Sequence, residues 1–194
     1  MSDAAFAHPA GRVRRTESAQ ERIGAPPLAL LSALLDRDDP PPRDGDALPP
    51  LAHWLHFLPV HRQSELGSDG HARRGGFLPP VPLERRLWAG SRLEFLRPLR
   101  IGETARRDST IKAVTVKEGH SGPLVFVTVR HEIAGEAGLA VTDEHDIVYR
   151  DAKGAAIAAP EPAPAGEAWS REVKPDPVLL FRYSALTHNG HRIH

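Results

Sequence analysis

Between Ser91 and Arg150 the chain runs through SRLEFLRPLRIGE, ARRDSTIKAVTVKEG, GPLVFVTVRHEIAG and GLAVTDEHDIVYR, four stretches rich in alternating residues and separated by glycine-bearing turns. A period of two sends successive side chains to opposite faces. Val125, Val127, Val129 and His131 share one face, and Leu124, Phe126, Thr128 and Arg130 share the other. Consecutive strands with short turns pair locally, which predicts an antiparallel sheet. Ahead of them, PPLALLSALLDRDDPPP sets Leu28, Leu31, Leu34 and Leu35 on one helical face. Pro26 and Pro27 suit the start of that helix and Pro40 to Pro42 its end. A helix covering one face of an antiparallel sheet is an α+β layout.

The remaining segments set the domain limits. Residues 1 to about 15 read as a frayed tail. LPPLAHWLHFLPV is apolar and proline-bounded, and either a buried strand or a short helix suits it. SELGSDGHARRGG is a polar loop leading into FLPPVPLERRLWAG. DAKGAAIAAPEPAPAGEA, residues 151–168, has no apolar period and reads as a proline-stiffened linker. The expected organisation is a sheet domain over 15–150, the linker, and the opening of a second unit over 169–194.

Composition excludes several functions. Lysine plus arginine equals aspartate plus glutamate at 25 each, so no global field draws in nucleic acid or an anionic membrane. With no cysteine, disulfides, thiolate nucleophiles and cysteine-ligated zinc are out of reach. The amino terminus lacks the apolar run of a secretory signal, and no stretch approaches the roughly 18 apolar residues of a membrane span. A cytoplasmic protein is expected.

Chemistry concentrates at the end, in FRYSALTHNGHRIH. His188, His191 and His194 recur every third residue. Metal binding is disfavoured, because steps of three drift by about 60° around a helix, Gly190 opposes a regular helix, and no acid is close in sequence. The two other readings are a solvated chain end and acid–base chemistry on a small molecule, for which neutral imidazole is suited. Trp88 reads first as a core aromatic, with a ligand wall as the alternative. Arg85, Arg86 and Arg92 are either a solvated face or contacts for a phosphate or carboxylate. His131 and His145, on strands, read as structural.

LLFRYSALTHNGHRIH resembles the catalytic segment of MaoC-like hydratases and dehydratases, in which a tyrosine precedes Ser/Thr-Gly-Asp-x-Asn-Pro-Ile-His. Asn189 matches the asparagine, Gly190 stands at the proline, and Ile193-His194 matches the Ile-His end. Asn-Gly-His-Arg-Ile-His is most similar to the branch that holds mesaconyl-C4-CoA (3-methylfumaryl-CoA) hydratases and fungal mitochondrial hydroxyacyl-thioester dehydratases. GGFLPPVPLERRLWAGSRLEFLRPLRIGE and VKEGHSGPLVFVTVRHEI resemble the amino-terminal half of the same branch, so the likeness covers about residues 15–194.

The resemblance implies a hot-dog fold, an antiparallel sheet wrapped on a long helix. The amino-terminal hot dog would be complete and the catalytic one barely begun at His194, so a chain ending there is expected to have little activity alone. The implied reaction is reversible hydration of mesaconyl-C4-CoA to citramalyl-CoA. Alternatives are a 3-hydroxyacyl-thioester dehydratase of other chain length, or a non-catalytic acyl-CoA-binding module or partner subunit. By the match, His194 is the base, His191 its rival, and Asn189 the residue that orients water or the ring. Thr187 falls on the family's aspartate position, where a hydroxyl cannot act as a base near neutral pH. Arg192 and Trp88 are candidate substrate contacts. No cofactor or metal is implied; the implied partners are an acyl-CoA thioester and a second copy in a homodimer.

Overall fold

Five antiparallel strands form one sheet in the computed structural model, which describes residues 11–119, 122–151, 162 and 164–192. They are β1 (Thr16–Arg22), β2 (Arg85–Phe95), β3 (Thr104–Gly119), β4 (Gly122–Gly135) and β5 (Gly138–Arg150), in the order β1-β3-β4-β5-β2. The meander β3–β4–β5 is the part the alternation predicts. Its second turn holds only Glu136 and Ala137 between paired Gly135 and Gly138. Gly138 sits at φ +98°, a conformation that disfavours any side chain with a Cβ. The Glu103 carboxylate fastens this turn, accepting from the backbone N–H groups of Arg100 and Glu136 at 2.7 and 3.0 Å.

Strand β1 has no counterpart in the alternation. TESAQER is polar apart from Ala19, which packs against the core, and it pairs with β3 from Thr16↔Thr110 to Arg22↔Thr104. At a sheet edge, polar side chains stay solvated while the backbone supplies the pairing.

The helix ahead of the sheet is shorter than the leucine spacing and the Pro40 stop predict. Helix α1 spans only Pro26–Leu34, with Pro at its first positions. It stops well before Pro40, at Leu35 and the left-handed Asp36, φ +53°. Leu34 is buried and Leu28 packs on the core, so the predicted face is the one used. The helix is too short to cover the whole sheet, and two extended segments share the task. Leu48, Ala52 and Phe57 join Ile23 over Ala105, Ile133 and Val141 at one end. Val81 and Leu83 lie over Ile111, Val127 and Tyr149 at the other. Of the two readings of LPPLAHWLHFLPV, the short helix holds: a single 3-10 helix, Ala52–Leu55.

A polar row separates these two apolar clusters. Ser109, His131 and Asp143 are cross-strand partners on β3, β4 and β5. The Ser109 hydroxyl bonds His131 Nδ1 at 2.8 Å, and Asp143 Oδ2 accepts from Trp54 Nε1 at 2.9 Å with His53 Nε2 at 3.8 Å. On the outer face Arg92, Lys112 and Arg130 pair with Glu144 and Asp146. No helix among the described residues is long and apolar enough to cross a membrane. Of the linker expected over 151–168, residues 152–161 and 163 lie outside the described residues. Helix α2, Pro177–Leu186, follows.

Candidate active site

Helix α2 starts where Asp176 accepts the Leu179 N–H at 2.8 Å with Pro177 next to it, an N-cap followed by a residue that lacks the orphan donor. It ends at Thr187, whose hydroxyl donates back to the Tyr183 carbonyl at 2.9 Å. His188 then takes a left-handed conformation, φ +50°, and the chain turns away from the helix axis. Gly190 therefore lies beyond the helix, as its residue type predicts.

After this turn the tail lies on the loop that precedes β2. His188 Nδ1 donates to the Pro59 carbonyl at 2.6 Å, and Arg192 N–H donates to the Asp69 carbonyl at 2.9 Å. Asn189 Oδ1 accepts from His191 N–H at 3.1 Å. Gly70, at φ +87°, comes so near Gly190 that an added Cβ would fall 1.9 Å from the Gly190 carbonyl oxygen. This docking brings the His191 ring to 4.5 Å from the His71 ring, centroid to centroid. Asp69 in turn accepts from the His71 backbone N–H at 3.1 Å and meets its Nδ1 at 3.2 Å.

Between the tail, α2 and the inner face of the sheet lies a cleft of about 1420 Å³. Leu180 and Phe181 of α2, with Val129 and Ile147 of the sheet, give it apolar walls. His71, His131, His191, Arg86 and Tyr149 give it polar groups. Burial pushes His71 below its ordinary value, and the Arg86 charge pushes it further, against the pull of Asp69. Burial raises Asp69, but the hydrogen bonds from His71 outweigh it and leave the carboxyl lowered. At neutral pH the pair is a carboxylate holding a neutral imidazole. His131 is pushed down to about 4 by burial and by Arg107.

The sequence-predicted residues separate on inspection. Thr187, Asn189, His191 and Arg192 all line the cleft. Thr187 spends its hydroxyl on the end of α2. His194 lies outside the described residues. Trp88, expected first as a core aromatic, is 65% exposed beside a bulge in β2 and is not among the residues lining the cleft. The acid judged absent near the histidines is supplied through space by Asp69. Asp69, His71 and His191 offer atoms within 4.8 Å of one another, but Asp69 and His71 already bond each other, and the Arg86 cation beside both opposes a divalent ion. Sequence reasoning passed over Asp69 and His71. Their Asp-Gly-His spelling reads as a turn, and only the fold carries that turn to the tail.

An antiparallel sheet bearing a ligand-sized cleft closed by a histidine-carrying tail is the layout of a hot-dog protein of the MaoC-like class. A solved MaoC-like dehydratase superposes with a TM-score of 0.58 at 14% identity, covering 94% of this chain and 68% of that one, a likeness of fold. The family profile described as hydroxyacyl-thioester dehydratase type 2 matches residues 51–194, and the chain belongs to that family. It is 48% identical over 185 residues to mesaconyl-C(4)-CoA hydratase of Chloroflexus aurantiacus, covering 94% of this chain and 66% of that protein. It is 27% identical over 171 residues to the mitochondrial hydroxyacyl-thioester dehydratase type 2 of Schizosaccharomyces pombe, covering 76% of this chain and 57% of that one. The chain therefore spans under two thirds of the length of either relative.

Proposed function

We propose that this chain belongs to a hydro-lyase acting on enoyl-CoA thioesters, and that its reaction is the reversible hydration of mesaconyl-C4-CoA to citramalyl-CoA. The observation that carries the reading is the docking of the family's catalytic segment across a cleft, with the His191 ring tilted against an Asp69-held His71 at 4.5 Å between centroids. The identity with the Chloroflexus hydratase supports the choice of acyl group. In this reading, residues 169–194 open the catalytic unit and the sheet domain shapes the substrate cavity. Two copies associate as a homodimer, in a cytoplasmic setting.

Hydration needs a base for water as its oxygen bonds the β-carbon, a proton for the α-carbon, and charge stabilisation at the thioester oxygen. His194 is the base and proton donor, with His191 its rival, and Asn189 orients the water or the ring. Thr187 cannot be the acidic partner, but the Asp69–His71 pair can hold a proton beside His191. With Asp69 on Nδ1, the basic nitrogen of His71 is Nε2. Loss of the enoyl absorbance of mesaconyl-C4-CoA tests the proposal. In a protein that carries the whole catalytic unit, His194→Ala is expected to lower kcat by about 100-fold or more, the range of a lost general base, and His191→Ala by less. The reverse order moves the base to His191. Faster turnover of longer 3-hydroxyacyl thioesters favours the dehydratase reading that the fungal relative suggests, and binding without turnover leaves an acyl-CoA-binding module.

A further inference from the structure

Arg86 is the cleft residue that the chemistry above leaves without a task. It lies near the start of β2, opposite the buried Tyr149 of β5, so its half-buried side chain faces inward. Two neighbouring arginines are committed. Arg74 donates to the carbonyls of Val81 and Glu84, each at 2.5 Å, and its guanidinium lies over the Tyr149 ring. Arg73 donates to the Leu66 carbonyl. Arg86 hydrogen-bonds the Tyr149 hydroxyl but makes no ion pair among the described residues, and its charge is felt by Asp69, His71 and His145. It lines both the main cleft and a side pocket of about 230 Å³ that opens beside Asp69. A guanidinium partly withdrawn from water and lacking an acid is a strong anion-binding group.

We infer that Arg86 receives the free carboxylate of the acyl chain, so that the cleft selects thioesters of dicarboxylic acids over monocarboxylic ones. The inference rests on the hydratase reading and specifies its substrate class. Position argues for an acyl carboxylate over a CoA phosphate. Arg86 lines the same cleft as His71, whose ring contacts that of His191 at 4.5 Å, so it lies at the reacting end of the cleft. The CoA phosphates lie a pantetheine arm away from the thioester.

The test is calorimetric binding of succinyl-CoA and butyryl-CoA, unreactive probes with equal acyl carbon number that differ in the terminal carboxylate. The protein is expected to bind succinyl-CoA about 100-fold more tightly, the order of a partly buried charge pair. Arg86→Gln should remove that preference while leaving butyryl-CoA affinity unchanged, and Arg86→Lys should restore part of it. Equal affinities in the unsubstituted protein overturn the inference without need of any variant. So does an equal loss of both ligands, and of free CoA, in Arg86→Gln, which assigns the arginine to a phosphate. The hydratase reading fails separately, if a protein that carries the whole catalytic unit does not turn over mesaconyl-C4-CoA while the succinyl preference and its loss persist.

Discussion

Two glycines with similar backbones separate conformational strain from contact. Gly70 and Gly75 both have positive φ, +87° and +98°, but an added Cβ at Gly75 meets nothing within 4 Å. Gly75→Ala carries only the left-handed penalty, about 1 kcal/mol. Gly70→Ala carries that and also drives a methyl into the Gly190 carbonyl, which cannot yield unless the tail moves. Gly70→Ala is therefore expected to release residues 187–192, seen as faster amide hydrogen exchange there, and to lower hydration at least tenfold. Gly75→Ala should leave both nearly unchanged. Equal exchange in the two variants would mean that the tail is held by its hydrogen bonds alone. Thr187 makes a related point: its identity defines what it cannot do, and only its bond to Tyr183 shows that it terminates a helix.

At the level of elements, alternation and helical spacing were legible where apolar residues carried them. The meander over Thr104–Arg150 and the leucine face of α1 both follow from pattern. The mostly polar edge strand β1 was not, because backbone pairing with β3 and the bonds of Ser18 and Glu21 hold it, with Ala19 alone packed on the core. Nor was the inward aim of Arg86. Between Trp88 and Gly90 the register of β2 shifts, and one extra residue reverses which parity faces the core. Arg86 pairs with inward Tyr149, whereas Arg92, an even number of residues later, pairs with outward Glu144. No count along the sequence reveals that reversal. The readable part of α1 has a sharp consequence. Leu34 is 7% exposed and Leu30 57%, so urea denaturation should give a loss of about 2–3 kcal/mol for Leu34→Ala and under about 0.5 for Leu30→Ala. A similar loss at both would mean that the helix contributes through propensity and not through its buried face.

Across the whole molecule, titratable groups are gathered on the inner face of one sheet and beside its cleft. Burial is the leading cause of the depressed values of His71, His131 and His145. In each case the unfolded chain takes up a proton near pH 6.5 that the folded chain refuses until lower pH. The unfolded state thus binds more protons over that interval, so stability rises with pH there and is lost as pH falls. For His131 the window runs from 6.5 down to about 4, worth on the order of 3 kcal/mol. Asp69 and Asp143 are both lowered, so their contribution is complete above the ordinary carboxylate range and begins to fall only below it. Acid should therefore weaken the fold in two stages, histidines first. Urea denaturation between pH 7 and 4.5 is expected to show stability falling through this interval, with the fall made shallower by about one proton in His131→Gln. A flat profile down to pH 5 would show that the polar row between the two apolar clusters admits protons, and with them water, in the native state. The cleft that reaches His131 would then extend as a wet channel into the middle of the sheet.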